Sequence, residues 1–185
     1  MNKDASECQS ALLDLIPLGH IDPLAASIIA AHLQAVLGLY TDIRSPQPLP
    51  EDAYMSMRNQ YDASRIIQTL AVDTKGSPFK MAVTTRDISI PILTYVYGES
   101  QLGGRIAVIS IHRLQHADRQ LMFQRAAKTA IHEAGHLLGL EHCFEVDCLM
   151  RFSKQVDQLD RLPMHFCSSC EYEADRRMKK VLNNT

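Results

Sequence analysis

Residues 132–143 read HEAGHLLGLEHC, and this stretch decides how the second half of the chain is organised. On a helix, residues i and i+4 are offset by roughly 40° and about 6 Å along the axis, so His132 and His136 project from one face. Glu133 lies beside them, and Gly139 ends the helix so that His142 can turn back. Isolated histidines of this kind are usually surface or core groups, but this register predicts three ligands of one metal ion.

Three imidazoles leave a tetrahedral zinc ion with an open fourth position for water, which is the pattern of catalytic and not of structural zinc sites. Glu133 is badly placed to bind the same ion but well placed to act on that water. We therefore expect the zinc ligands to be His132, His136 and His142, and Glu133 to be the catalytic general base.

The cysteines indicate a second metal site. The chain has an odd number of them, 5 in all, which favours metal binding in a reducing compartment over a set of disulfides. Those in the C-terminal part form a C-x4-C and a C-x2-C pair, the spacing of a closed four-thiolate zinc site: Cys143, Cys148, Cys167 and Cys170. The alternatives are unpaired thiols, or His165 as a competing ligand. Cys8 is expected to be an ordinary thiol, with a latency switch as the less favoured interpretation.

The histidine motif resembles the extended metzincin form H-E-x-x-H-x-x-G-x-x-H. Its continuation is similar to the archaemetzincin branch, in which the third histidine is followed by C-x4-C-x-M and later by C-x-x-C. The segments NQYDAS, VTTRDISIP and YVYGESQLGGRIAVIS resemble that family more loosely. The resemblance implies two zinc ions per chain, one catalytic and one structural, and it implies that Met150 forms an apolar floor beneath the zinc-binding imidazoles.

The resemblance also implies a substrate and its binding mode. An extended peptide would pair with an antiparallel edge strand, identified as GGRIAVISI at about residues 103–111. Some metzincins have a tyrosine shortly after the methionine as an oxyanion stabiliser, but this chain has Arg151 and Phe152 there. The implied function is a zinc metallopeptidase in which Glu133 takes a proton from the zinc-bound water and returns it to the leaving amine. A zinc hydrolase of a non-peptide amide and a peptide-binding module with little catalysis are the alternatives.

Composition narrows the remaining possibilities. With 185 residues, 46% apolar residues and a net charge of −2, we expect a single domain at residues 1–185 and neither a nucleic-acid nor a membrane partner. An N-terminal subdomain would end at about residue 139, and a zinc-stapled C-terminal subdomain would occupy about residues 140–185. The acidic N-terminus is unlike a signal peptide, and the apolar segment 24–40 is too short for a membrane span, so a cytoplasmic location is expected.

The pattern of apolar residues predicts an α/β (α+β) fold. A strand at residues 11–17, a helix opened by Asp22 and Pro23 and ended by Gly38, and a second strand imply a parallel crossover. Further strands are expected at residues 79–90 and 103–111. Helices are expected at residues 61–71, after the cap Asp118, and at residues 171–182. With the resemblance, the expected fold is a twisted, mostly parallel sheet with an antiparallel edge strand, helices and a zinc-stapled C-terminal region.

Overall fold

The computed structural model describes residues 11–183, so Cys8 and the questions about it lie outside the described residues. The strands are β1 Leu13–Leu18, β2 Thr41–Ile43, β3 Tyr54–Met55, β4 Gln60–Asp62, β5 Phe79–Thr84, β6 Ile88–Ile90, β7 Leu93–Val96, β8 Gly98–Ser100 and β9 Ile106–Ser110. The helices are α1 Pro23–Leu37, α2 Ala63–Val72, α3 Arg119–Leu137, α4 Val156–Arg161 and α5 Ser168–Asn183.

The larger sheet has five strands in the order β2-β1-β5-β9-β8. The first four strands of this order are mutually parallel, and β8 pairs with β9 in the antiparallel direction. The predicted crossover from β1 through α1 to β2 is confirmed: the Asp22 side chain accepts from the amide of Leu24, and Gly38 ends α1 in the left-handed conformation. A mostly parallel sheet with an antiparallel edge strand is therefore confirmed.

The predicted edge strand is wrong. Residues 103–111 contribute β9, which lies between β5 and β8, and the antiparallel edge strand is β8. Every residue of β9 is buried, as expected for an unbroken apolar run covered on both faces of a parallel sheet. The short β8, with Glu99 and Ser100, has the polar character typical of an edge.

A second sheet of four strands, in the order β3-β4-β6-β7, was not expected. The single strand predicted at residues 79–90 is wrong, because the chain leaves the first sheet after Thr84 and enters the second at Ile88. The helix predicted at residues 61–71 begins two residues later. Asp62 caps it by accepting from the amide of Ser64 at 2.9 Å.

Helices cover both faces of the five-stranded sheet. α1 and α3 pack on one face, against alternate residues of the central strands such as Leu15 and Met81. α2 packs on the other face, against the intervening residues such as Ile16 and Ala82. Asp118 caps α3 as predicted, accepting from the amide of Gln120 at 2.8 Å. The C-terminal half of α3 lies beside β8 at the edge of the sheet, where Ser100 contacts Glu133.

Candidate metal centres and active-site cleft

The end of α3 brings together the three histidines predicted to bind zinc. One nitrogen from each of His132, His136 and His142 lies within 4.8 Å of the other two. The helix ends at Leu137, and Gly139, with φ of 84°, turns the chain so that His142 faces back toward the helix. The local geometry predicted from the motif is present.

Hydrogen bonds set which nitrogens could bind a metal. His132 Nδ1 lies 2.8 Å from the carbonyl of Leu149, and His136 Nδ1 lies 2.7 Å from that of Leu140. A carbonyl oxygen only accepts, so both Nδ1 atoms carry the proton and each neutral ring keeps its lone pair on Nε2. Burial lowers the pKa of His132 to about 4 and also lowers the pKa of His136, so both rings are neutral at neutral pH.

The Nε2 atoms of the two helical histidines lie close together. His132 Nε2 and His136 Nε2 lie 3.1 Å apart. With the proton of each ring on Nδ1, neither Nε2 can donate to the other, so a cation between the rings would stabilise this arrangement. Zn–N bonds of about 2.0–2.1 Å at a tetrahedral angle place two nitrogens about 3.3 Å apart. The donor set and its spacing therefore fit zinc.

Glu133 lies on the side of α3 that faces the edge strand. Its side chain is buried, with 7% exposed, and its Oε2 accepts a hydrogen bond of 2.6 Å from Ser100 Oγ. Burial raises the pKa of Glu133, and the bond from Ser100 opposes that rise. The pKa of the neighbouring Glu99 is raised to about 7, mainly by burial and to a smaller extent by the negative charge of Glu133.

Met150 packs under the histidine helix. It is fully buried, and its side chain occupies the space where Gly135, between the two helical histidines, has no Cβ. Its carbonyl accepts from the amide of Cys143 at 2.9 Å, which ties the turn to the residue after His142. Met150 therefore has the location expected for an apolar floor of the site.

The cysteines form the second cluster, and their four sulfurs lie within 4.8 Å of one another: Cys143, Cys148, Cys167 and Cys170. All four are free thiols. The sulfurs of Cys143 and Cys167 are 3.8 Å apart, and Zn–S bonds of about 2.3 Å at a tetrahedral angle give about 3.8 Å. The amide of Cys170 lowers the pKa of the Cys167 thiol, which favours the thiolate that zinc binds.

The two clusters are separate, although His142 and Cys143 are adjacent in the chain. His142 belongs to the histidine group and Cys143 to the cysteine group. His165, considered as a competing ligand, is in neither group within residues 11–183; its Nδ1 lies 3.1 Å from the carbonyl of Phe166.

An open cleft of about 890 Å³ lies over the histidines and Glu133. One wall is formed by β7 and β8 and the other by the segment after α3, with exposed apolar side chains on both: Leu93, Leu102, Phe144 and Phe152. The Phe152 ring lies 5.0 Å from that of His142, and the guanidinium of Arg151 donates to the carbonyl of Phe144 at 2.7 Å. Within residues 11–183, no helix is long and apolar enough to cross a membrane.

The sequence model of peptidase family M54 matches residues 50–176. The chain belongs to peptidase family M54. Among family relatives, the archaemetzincin of Archaeoglobus fulgidus is 35% identical over 82% of this chain and 94% of its own length. The archaemetzincin of Methanopyrus kandleri is 34% identical over 85% of this chain and 92% of its own length.

Solved structures agree with this membership. The crystal structure of the Methanopyrus kandleri archaemetzincin superposes with a TM-score of 0.85 at 31% identity, covering 95% of this chain and 99% of that one. The Archaeoglobus fulgidus archaemetzincin, complexed with malonate, gives a TM-score of 0.79 at 32% identity over 87% and 98% of the two chains. The expected archaemetzincin resemblance and fold are confirmed, and this M54 chain is a zinc metallopeptidase.

Sequence reasoning missed three residues of the site. Gly98 and Ser100 contact Glu133 from the edge strand, and Phe144, 93% exposed, stands at the rim of the cleft. The segment YVYGES had no clear periodicity, so nothing in the sequence placed it against the histidine helix. The sequence shows a phenylalanine directly after Cys143, but its exposure is known only from the structure.

Proposed function

We propose that this peptidase hydrolyses peptide bonds at the histidine site, with His132, His136 and His142 holding the catalytic zinc. The observation that carries the proposal is the convergence of the three histidines, with the Nε2 atoms of His132 and His136 3.1 Å apart and the buried carboxyl group of Glu133 alongside. Bound zinc would supply Lewis-acid polarisation of the scissile carbonyl and a water molecule acidic enough to ionise near neutral pH.

Glu133 performs the proton transfers in this proposal. Its carboxylate accepts the proton of the attacking water and then delivers that proton to the leaving amine, first as general base and then as general acid. Burial supports this role, because it raises the pKa of Glu133 and so brings the pKa of the carboxyl group nearer to neutrality.

The substrate is proposed to pair with β8. This strand is the last of its sheet, and its pairing with β9 leaves the opposite edge facing the cleft. An extended peptide added there would form main-chain hydrogen bonds, which hold the backbone and require little of the side-chain sequence. The apolar side chains on both walls favour peptides with apolar residues near the scissile bond.

A second zinc ion is proposed in the four-cysteine cluster, with a structural role. Cys143 and Cys148 follow the histidine helix, while Cys167 and Cys170 lie at the start of α5. One ion shared by both pairs would staple the segment between them to the end of α3, a segment with few regular elements of its own. The division into subdomains at about residue 139 stays a prediction.

The test is Glu133→Gln in zinc-loaded protein, assayed on a mixed peptide library. Glutamine keeps the shape but accepts no proton at physiological pH, so turnover should fall by about 10²- to 10⁴-fold with zinc content and melting temperature unchanged. Glu145→Gln is the matched control, because Glu145 is exposed and outside the residues that line the cleft. Undiminished turnover by the Glu133→Gln protein would refute the proposed mechanism.

A further inference from the structure

Two residues of the edge strand contact the side chain of Glu133, which lies far from them in sequence. Ser100 donates its hydroxyl proton to Glu133 Oε2 at 2.6 Å. A Cβ built on Gly98 would lie 2.6 Å from both the Cγ and the Oε1 of Glu133. Residues i and i+2 of a strand share one face, so Gly98 and Ser100 together form the surface against which the carboxyl group rests.

The hydrogen bond makes the two carboxylate oxygens unequal. An ionised carboxylate only accepts, so the hydroxyl of Ser100 must be the donor, and a separation of 2.6 Å is typical of a charge-assisted O–H···O⁻ bond. Oε2 thereby has a fixed donor, whereas Oε1 lies against the position of Gly98. The missing side chain at Gly98 is what lets the strand approach closely enough for this contact.

The position of β8 does not depend on that hydroxyl. Backbone pairing with β9 holds Gly98, Glu99 and Ser100, and the amide of Ser110 donates to the carbonyl of Tyr97 at 2.8 Å. The amide of Gln101 donates to the carbonyl of Ile106 at 3.1 Å. Removing the Ser100 hydroxyl should therefore leave the sheet intact.

We propose that Ser100 and Gly98 are positioning residues for the general base: Ser100 holds Oε2, Gly98 supplies the close approach, and together they fix the orientation of the carboxyl group. This inference rests on the proposed function of Glu133. The strand proposed to pair with the substrate backbone, β8, would therefore also orient the Glu133 carboxyl group that transfers the proton. Neither residue is proposed to touch the substrate through its side chain.

The experiment compares Ser100→Ala, Ser100→Thr and Gly98→Ala in zinc-loaded protein. Ser100→Ala frees the Glu133 carboxylate and Gly98→Ala displaces it. Each change should lower kcat by about 10- to 100-fold, which is the effect expected when a catalytic group is misplaced. KM and zinc affinity should stay at the wild-type values in all three variants, and each variant should remain folded at the assay temperature. Threonine keeps the hydroxyl and should restore most of kcat. Ser89→Ala is the matched control, because Ser89 is a buried strand serine whose Oγ has no partner among residues 11–183.

A double-substitution cycle separates this inference from the proposed function. Ser100→Ala should have no further effect in a Glu133→Gln background if it acts only through Glu133. A fully active Glu133→Gln protein would refute the proposed function. An inactive Glu133→Gln protein with a Ser100→Ala kcat equal to wild type would refute only the positioning role. A rise in KM alone, a loss of zinc, or an equal loss of kcat in both backgrounds would also overturn the positioning role.

Discussion

Substitution of Gly135 by alanine tests the packing under the histidine helix. A Cβ at this position would overlap the sulfur of Met150 and would lie 3.1 Å from its methyl carbon and 3.3 Å from Cζ of Phe166. Met150 is 0% exposed and its carbonyl is held by the amide of Cys143, so its side chain has little room to withdraw. The strain should be relieved partly by movement of the turn that contains Met150.

Two opposing effects set the size of the change. Overpacking a filled core costs about 1–3 kcal/mol, whereas replacing glycine by alanine inside a helix stabilises by about 1 kcal/mol. The net expected destabilisation is up to about 2 kcal/mol, or a fall in melting temperature of up to about 8 °C for a chain of this size. In a Met150→Ala background the overlap is gone, and the same substitution should be neutral or stabilising by up to about 1 kcal/mol.

The assay is a double-mutant cycle on zinc-replete protein, with thermal unfolding and zinc content measured for the wild type, both single variants and the double variant. The sign of the effect of Gly135→Ala should reverse between the wild-type background and the Met150→Ala background. An equal destabilisation in both backgrounds would show that the cost does not come from contact with Met150. The reasoning about the floor of the site would then fail.

Four further outcomes are expected. Metal analysis should find two zinc ions per chain, with the three-imidazole site losing its ion first to acid or chelator, since imidazole must be neutral to bind; a single zinc would contradict the two-site proposal. Cys143→Ser should lower the melting temperature by at least about 10 °C, and loss of only the labile zinc at unchanged stability would show that the two clusters share one ion. Asp160→Asn leaves Arg125, 7% exposed, without its ion-pair partner and should cost about 3 kcal/mol, while exposed Asp157→Asn should change stability by less than about 0.5 kcal/mol. Arg125 holds the pKa of Asp160 below its ordinary value. The stability from this pair is therefore fully present at pH values above that ordinary pKa and is lost as the pH falls through the lowered pKa. Chemical unfolding measured over a series of pH values with no such loss would contradict this expectation. Phe144→Ser should raise KM about 3- to 10-fold for peptides with apolar residues at unchanged kcat, and steady-state kinetics showing an unchanged KM would remove Phe144 from substrate binding.

The metal clusters could be predicted because their geometry is mostly local. The i, i+4 spacing of His132 and His136 and the turn at Gly139 follow from helix geometry alone. The grouping of the cysteines follows from two short spacings. The parallel crossover around α1 was likewise predictable, because its cap, its proline and its terminal glycine are all close in sequence.

The errors concern contacts between distant segments. The strand at Ile106–Ser110 was placed at the edge by resemblance, although its unbroken apolar sequence favours a strand buried on both faces. The contact between Ser100 and Glu133 joins residues 33 positions apart, and no periodicity in either segment reports it. Strand order decides both features, and strand order is set by which buried surfaces fit together.

The hydrogen bonds that orient the histidine rings have a consequence for the synthesis of the chain. The carbonyls that hold the rings of His132 and His136 belong to Leu149 and Leu140, and the amide of Leu149 is itself held by the carbonyl of His165 at 2.9 Å. Protein chains are made from the N-terminus, so α3, which ends at Leu137, is synthesised before Leu149 and His165 are added. The growing chain carries its histidines without the frame that orients them. The frame around the His132 ring is therefore complete only after residues 149–165 have been added and have folded back against α3.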